Sequence, residues 1–201
     1  GEAACWDMHG FNRLGGNSVA ETVVAGMIVG EFIADFVESP EGELDIPTAV
    51  LREALAAERG KLDVLLKGGG REQADTLKAE MQQTMTDNVG IFRTGADLQR
   101  AVDKLQELLV RSRSIGLRSR RDGPNPELVT AYRVQKIIKI ALCVAQGALT
   151  RTESRGAHFR EDFPRRNDAD WLRRTLATWS DPRATLPTLN YEALDVGRME
   201  L

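Results

Sequence analysis

Apolar residues recur at helical spacing in five stretches of this chain, and polar or glycine-rich segments separate them. A period of three to four residues is typical of a helix that buries one face. The pattern predicts helices over residues 19–36, 48–66, 71–86, 96–113 and 126–150. Asn125 and Pro126 are a typical start for the last of these, because proline suits the first turn of a helix.

The first predicted helix differs from the other four. Its apolar run over residues 19–37 is nearly long enough to cross a bilayer, but Glu21, Glu31 and Asp35 interrupt it. We therefore expect a buried helix of a soluble protein. The other four suit a small antiparallel bundle over residues 48–150, with Leu105, Ile138 and Leu142 in its core.

The periodicity is lost after Thr150. Residues 153–166 are dense in charge and contain Gly156 and Pro164, which predicts an irregular segment. Residues 171–179 are expected to form a short helix, and residues 186–192 an extended tail or strand. The predicted fold class is thus mainly α, with a turn and a helix first, then a helical bundle, then an irregular tail.

Charge and cysteine content narrow the classes of function. The formal net charge of -3 and the pI near 5.6 argue against general nucleic-acid binding. An arginine cluster over residues 111–121 has no interleaved aromatic residues, so we expect a solvated loop there. Cys5 and Cys143 lie far apart and lack metal-ligand spacing, which favours reduced thiols in a cytoplasmic setting.

Candidate binding chemistry lies in residues 10–19, Gly-Phe-Asn-Arg-Leu-Gly-Gly-Asn-Ser-Val. The two adjacent glycines allow a ligand to approach the backbone closely. Asn17 or Ser18 is expected to cap the following helix, with Glu21 completing a capping box. Arg13 offers a planar donor fork for a carboxylate or phosphate, next to the positive end of the helix dipole. The pattern equally fits an ordinary glycine turn that leads into a buried helix.

Longer motifs resolve this choice. Residues 1–19 resemble the last part of the FAD-binding domain in flavoprotein subunits of fumarate reductase and succinate dehydrogenase. Residues 151–158, 160–164 and 167–172 resemble the C-terminal signature of that family, and residues 88–95 resemble part of its helical domain. The resemblance covers almost the whole chain.

The resemblance implies a domain plan and a set of site residues. Residues 1–38 would be the C-terminal piece of an FAD-binding domain, 39–47 a linker, 48–150 the helical bundle, and 151–201 a charged docking segment with a short helix and tail. By the same resemblance Arg13 and Gly16 would bind the dicarboxylate substrate, and FAD would contact Glu2, Asn17, Ser18 and Val19. No residue of this chain is assigned as a catalytic acid or a metal ligand.

The family activity that the resemblance implies is the interconversion of fumarate and succinate by hydride transfer with FAD. Implied partners are an iron–sulfur subunit and a membrane anchor subunit that exchanges electrons with quinone. The implied location is peripheral, on the cytoplasmic side of a bacterial inner membrane, and residues 5–11 resemble menaquinone-linked enzymes most. No Gly-x-Gly-x-x-Gly fingerprint follows a strand. We therefore expect a C-terminal fragment of a larger flavoprotein, with a partial FAD site and no activity alone.

Two other functions stay open on the sequence. L-aspartate oxidase, a related soluble flavoenzyme, resembles the chain at residues 153–156, although Leu14-Gly15-Gly16 fits the fumarate reductase form better. The isolated chain is also compatible with a non-catalytic helical interaction module. In either case we expect Glu153, Arg155, His158 and Arg160 to form a buried ion-pair network that seats one segment on another.

Overall fold

A computed structural model describes residue 9 and residues 13–42, 47–120 and 123–194. The chain is mainly α, as predicted, and falls into two compact units, residues 1–56 and 57–201. The helices are α1 (Gly15–Glu38), α2 (Thr48–Lys67), α3 (Ala74–Asn88), α4 (Gly95–Arg111), α5 (Pro126–Thr150) and α6 (Asp168–Trp171). The strands are β1 (Phe92–Arg93), β2 (Phe159–Arg160), β3 (Arg173–Thr178) and β4 (Thr188–Ala193). The domain limits implied by the family resemblance stay a prediction.

Helix α1 contains the predicted apolar run, yet it buries none of its residues. Phe32 is 70% exposed, Met27 66% and Val19 65%. The prediction of a buried helix is therefore wrong for the part of the chain that the structure describes. The element that α1 contacts most within its own unit is the short 3-10 turn Pro40–Gly42, which is too small to cover a helix of this length. No helix in the described ranges is long and apolar enough to cross a membrane.

Helix α2 runs close to its predicted range and ends at three consecutive glycines, residues 68–70. Leu65 and Leu66 in its last turn pack against the core of the second unit. The backbone at Gly70 passes very close to residues 114–116, since a Cβ at Gly70 would lie 1.9 Å from the Ser114 carbonyl oxygen. Glycine is required at this position because no other side chain fits.

Helices α3, α4 and α5 pack together and form the core of the second unit. Helix α5 has the predicted bounds, and the Asn125 side chain accepts a hydrogen bond from the Leu128 N–H at its start. Leu105, Ile138 and Leu142 are fully buried, as predicted. The other fully buried leucine and valine side chains come from all three helices: Leu77, Leu98, Val102, Leu108 and Val134.

The segment after α5 contains more regular structure than predicted. Strand β1 pairs in parallel with β2 over two residues, and β3 pairs antiparallel with β4 in a register that joins Arg173 to Ala193 and Thr178 to Thr188. The predicted helix over residues 171–179 is wrong, because six of these residues form β3. A short helix is marginal alone, and cross-strand pairs with β4, such as Thr175 with Tyr191, stabilise the extended form instead. The predicted strand over residues 186–192 is confirmed by β4.

Candidate functional site

The candidate ligand site lies at the start of α1, in the first unit. The helix begins at Gly15, earlier than predicted, with Leu14 as the N-cap residue and no side-chain cap. The Ser18 N–H donates to the Leu14 carbonyl oxygen at 2.7 Å, so Ser18 lies within the helix. The predicted cap at Asn17 or Ser18, with Glu21 as its box partner, is therefore wrong. The physical reason is that Arg13 engages the side chains of both Ser18 and Glu21.

Arg13 lies against one face of the first two turns of α1. Its Nε donates to Ser18 Oγ at 2.9 Å, and its Nη2 donates to Glu21 Oε2 at 3.0 Å and to Thr22 Oγ1 at 3.3 Å. Residues 18, 21 and 22 share a helix face because side chains three and four positions apart are neighbours. The Arg13 and Glu21 side chains are only 12% and 11% exposed, so this ion pair is largely shielded from water.

One of the three nitrogens of the Arg13 guanidinium makes no hydrogen bond to the described residues. Nη1 is buried and has no hydrogen-bond partner among the described residues. A buried donor without a partner is costly, and such groups usually meet a ligand, an ion or water. The two N–H bonds of Nη1 thus have no acceptor among the described residues, whereas the sequence suggested that the whole fork would be available.

The backbone beside Arg13 is also open to a ligand. A Cβ built at Gly15 or Gly16 would meet nothing within 4 Å. The N–H groups of Gly15, Gly16 and Asn17 belong to the first turn of α1, where a helix provides no internal acceptor. These N–H groups and the helix dipole favour an anion. The set of donors near Arg13 thus fits a carboxylate chemically.

The other predicted site residues stay predictions. Asn17 and Val19 are exposed within the first two turns of α1, and Glu2 lies outside the described residues. Ser18 uses its hydroxyl oxygen as an acceptor for Arg13, which leaves its own hydrogen to donate. The His9 side chain is 7% exposed, and its Nε2 lies 3.6 Å from Glu21 Oε2. Sequence reasoning missed Ser18, Glu21 and Thr22 as partners of Arg13, although their helical spacing from one another was a usable signal.

The charged segment after α5, in the second unit, forms the predicted buried network. Glu153 is fully buried, and its carboxylate accepts hydrogen bonds from Arg151 Nη1 at 2.7 Å, Arg155 Nε at 2.8 Å and the Asn167 N–H at 2.8 Å. Burial alone would raise the pKa of Glu153, but these donors outweigh it and hold the pKa below its ordinary value. Arg155 also pairs with Asp168, which ties residues 151–155 to the start of α6.

Arg160 joins the ends of two helices in the same unit. It is 2% exposed, and its Nη1 donates to the carbonyl oxygens of Ala148 and Leu149 at 3.0 and 2.9 Å, near the end of α5. Its Nε and Nη2 donate to the two oxygens of Asp162, each at 2.7 Å. Asp162 in turn accepts the Gly95 N–H at the start of α4 at 2.9 Å. A cation at a helix C-terminus and an anion at an N-terminus both suit the helix dipoles.

His158 completes this cluster as a neutral group. Its Nδ1 lies 2.9 Å from Arg93 Nη1, and its Nε2 lies 3.2 Å from the Arg151 carbonyl oxygen. Arginine can only donate, so Nδ1 accepts and Nε2 carries the hydrogen. Burial and the charges of Arg93, Arg151 and Arg160 lower the pKa of His158 below its ordinary value. All groups of this network are paired internally, which is the pattern of a structural cluster.

The arginine cluster over residues 111–121 is only partly the solvated loop that was predicted. Arg118 is 68% exposed, but Arg111 is held by Glu72, Glu80 and Glu107 at distances of 2.8 to 3.1 Å. Arg121 lies outside the described residues. The paired arginine joins α3 to α4 and is not available as a nucleic-acid contact.

Comparison with known proteins identifies the family of the chain. Residues 78–201 match the family model described as fumarate reductase flavoprotein C-term, which covers more than half of the chain. The chain belongs to the fumarate reductase flavoprotein family. Over its full length it is 47% identical to the fumarate reductase flavoprotein subunit of Helicobacter pylori strain 26695 and covers 28% of that protein. It is 32% identical over 192 residues to the succinate dehydrogenase flavoprotein subunit of Bacillus subtilis, covering 95% of this chain and 33% of that protein.

Solved structures of the fumarate reductase and succinate dehydrogenase group agree with this assignment. A quinol-fumarate reductase determined with menaquinol molecules aligns with a TM-score of 0.86 and 31% identity, over 100% of this chain and 34% of that chain. The Mycobacterium smegmatis Sdh1 complex aligns with a TM-score of 0.73 and 34% identity, over 92% of this chain and 30% of that chain. The chain thus spans about a third or less of the flavoprotein relatives that it matches.

Proposed function

We propose that the full-length protein carrying this chain interconverts fumarate and succinate with FAD as its redox cofactor. The observation that carries the proposal is the buried, unpartnered Nη1 of Arg13 at the open start of α1. Nη1 has no acceptor among the described residues, and a carboxylate of a dicarboxylate would supply both an acceptor oxygen and a negative charge. Family membership supports the same choice of substrate, since the relatives are named fumarate reductase and succinate dehydrogenase.

The proposed work of this chain is to bind and orient the substrate. The two hydrogens on Arg13 Nη1 would donate to one carboxylate, and the Gly16 N–H would donate to the same group. Gly16 suits this role because a Cβ there would occupy open space that the ligand needs. When bound, FAD supplies the chemistry of hydride transfer. The carboxylate contacts fix the distance and angle at which the substrate double bond meets the cofactor.

The proposed FAD contacts are those implied by the resemblance, namely Glu2, Asn17, Ser18 and Val19. The start of α1 favours negative charge, and a reduced flavin is anionic at its pyrimidine end. A helix N-terminus stabilises such a charge by about 0.3–2 kcal/mol, which also tunes a cofactor's reduction potential. The hydroxyl hydrogen of Ser18 remains available for this contact while its oxygen holds Arg13.

We further propose that the protein works in a multisubunit complex. The electrons would pass to an iron–sulfur subunit and then to quinone in a membrane anchor subunit. The flavoprotein would lie peripherally on the cytoplasmic side of the membrane. Two solved relatives, a quinol-fumarate reductase with menaquinol molecules and the Mycobacterium smegmatis Sdh1 complex, support this assembly.

Steady-state assays of the flavin-replete, full-length protein test the proposal. We expect fumarate reduction with a reduced dye and succinate oxidation with an artificial acceptor, and no oxidation of L-aspartate. Faster turnover of L-aspartate than of succinate would contradict the proposal and favour the oxidase. Titrating FAD into the 201-residue chain tests the partial-site expectation. Tight stoichiometric binding there would show that this chain alone is enough to hold the cofactor.

A further inference from the structure

Two side chains of α1 hold the Arg13 guanidinium most closely, the Ser18 hydroxyl and, one turn further along, the Glu21 carboxylate. Glu21 Oε2 accepts from Nη2 at 3.0 Å, while Ser18 Oγ accepts from Nε at 2.9 Å. The plane of a guanidinium group is fixed once two of its nitrogens are bound. These two contacts therefore leave Nη1, which is buried, as the guanidinium nitrogen without a partner among the described residues.

Glu21 is the charged member of this pair of contacts. Hydrogen bonds between ions are about twice as strong as those between neutral groups, and this pair is largely shielded from water. His9 approaches the same carboxylate oxygen as Arg13, with its Nε2 3.6 Å from Glu21 Oε2 and its side chain 7% exposed. Glu21 Oε2 therefore has two largely buried neighbours, Arg13 and His9, which limits the rotamers open to Glu21.

We propose that Glu21 is a positioning residue that holds Arg13 with Nη1 directed at the substrate carboxylate. This inference rests on the proposed function, because it assigns the orientation of its substrate-binding arginine. Glu21 does not contact the substrate and acts only through Arg13. Without Glu21, the Thr22 hydroxyl at 3.3 Å would be the remaining side-chain acceptor for Nη2. Nη2 could then compete with Nη1 for the substrate carboxylate, and the substrate would bind in more than one orientation.

This role predicts a division between kcat and KM. Glu21→Gln keeps an oxygen that can accept from Arg13 but removes the charge. The arginine would still attract the dicarboxylate, so we expect KM to stay within about threefold of the wild type. Misplacement of a bound substrate lowers the chemical step, and a shift of about 1 Å is enough for a loss on the order of 100-fold. We therefore expect kcat, normalised to bound flavin, to fall by roughly 10- to 100-fold.

A double-mutant cycle in the full-length protein tests this. Glu21→Gln, Arg13→Ala and the double variant are compared for fumarate reduction, with flavin content measured for each. Glu31→Gln is the matched control, since Glu31 is an exposed glutamate of the same helix. If Glu21 acts through Arg13, its replacement has almost no further effect once Arg13 is alanine. The control should retain wild-type kcat and KM.

Four results would overturn the proposal. Additive losses in the double variant would show that Glu21 acts independently of Arg13. Normal kcat in Glu21→Gln, together with a severe loss in Arg13→Ala, would refute the positioning role and leave the proposed function intact. Loss of flavin from Glu21→Gln but not from Arg13→Ala would assign Glu21 to the folding of α1. Normal turnover in Arg13→Ala would instead overturn the proposed site itself, together with the inference built on it.

Discussion

Two arginines, one in each unit of the chain, differ in how completely their guanidinium groups are paired within the described residues. All three guanidinium nitrogens of Arg160 are bonded within the chain, to Asp162 and to carbonyl oxygens at the end of α5. Arg13 uses two of its nitrogens internally and keeps Nη1 buried without a partner among the described residues. Complete pairing stabilises a fold, whereas a spare buried donor is costly unless a ligand binds it.

The helices that these two arginines contact, α1 beside Arg13 and α5 beside Arg160, also differ. Ile138 and Leu142 of α5 are fully buried, while Phe32 and Met27 of α1 are 70% and 66% exposed. Both helices are rich in apolar residues, so apolar content predicts a helix without predicting what covers it. The packing energy of the described chain is therefore concentrated in the second unit, and the candidate chemistry in the first.

The largest loss of unfolding free energy is expected from removing Glu153, the central carboxylate of the buried network in the second unit. Glu153→Ala would remove the buried carboxylate that accepts from Arg151, Arg155 and the Asn167 N–H. Removing one partner of a buried ion pair costs about 3–5 kcal/mol. Denaturant titration of the 201-residue chain should show a loss of that order, with Glu161→Ala, at an exposed position, as the control. Equal stability of the two variants would mean that the network adds nothing to the fold.

The contrast between α5 and α1 gives the next largest effect. Leu142→Ala creates a cavity in a packed core and should cost about 2–5 kcal/mol of unfolding free energy. Phe32→Ala removes a larger side chain, but from an exposed position, and should change stability of the chain by less than about 0.5 kcal/mol. Both values come from the same denaturant titration. A similar cost at the two positions would contradict the different burial of the two helices.

The sequence predicted most of the second unit because the signals there are local. The bounds of α5 follow from Asn125, Pro126 and an apolar repeat, and the core positions follow from helical spacing. A helix was wrongly predicted over residues 171–179. The strand found there depends on pairing with residues 188–193, which no local pattern reveals. At the candidate site the arginine was predicted from its motif. Its internal partners were not, because Ser18 and Glu21 also match a capping box.

The smallest of these effects is expected from pH. As the pH falls, the second unit should lose unfolding free energy over the range in which His158 titrates. Burial lowers the pKa of His158 in the folded state, so the unfolded chain takes up a proton there first as the pH falls. Its contribution to stability is present above the unfolded pKa, near 6.5, and is lost as the pH falls through the folded pKa. Hydrogen bonds from Arg160 lower the pKa of Asp162 to about 2, so the effect of that carboxylate lies at lower pH.

The measurement is a set of denaturant titrations between about pH 7 and pH 5, on the wild type and on His158→Gln. The wild type should lose stability across this range, and the variant should lose less. Parallel pH profiles for the two proteins would show that His158 does not titrate differently in the folded and unfolded chain.

The central claim is that the spare donor of Arg13 binds the substrate, and Arg13→Lys tests it most directly. Lysine keeps the charge, but a single ammonium group has no second and third nitrogen with which to hold Ser18 and Glu21 while binding a carboxylate. In flavin-replete, full-length protein we expect kcat/KM for fumarate reduction to fall on the order of 100-fold, with flavin content near wild type. Near-normal kcat/KM would show that Arg13 is a structural arginine like Arg160, and would contradict the account.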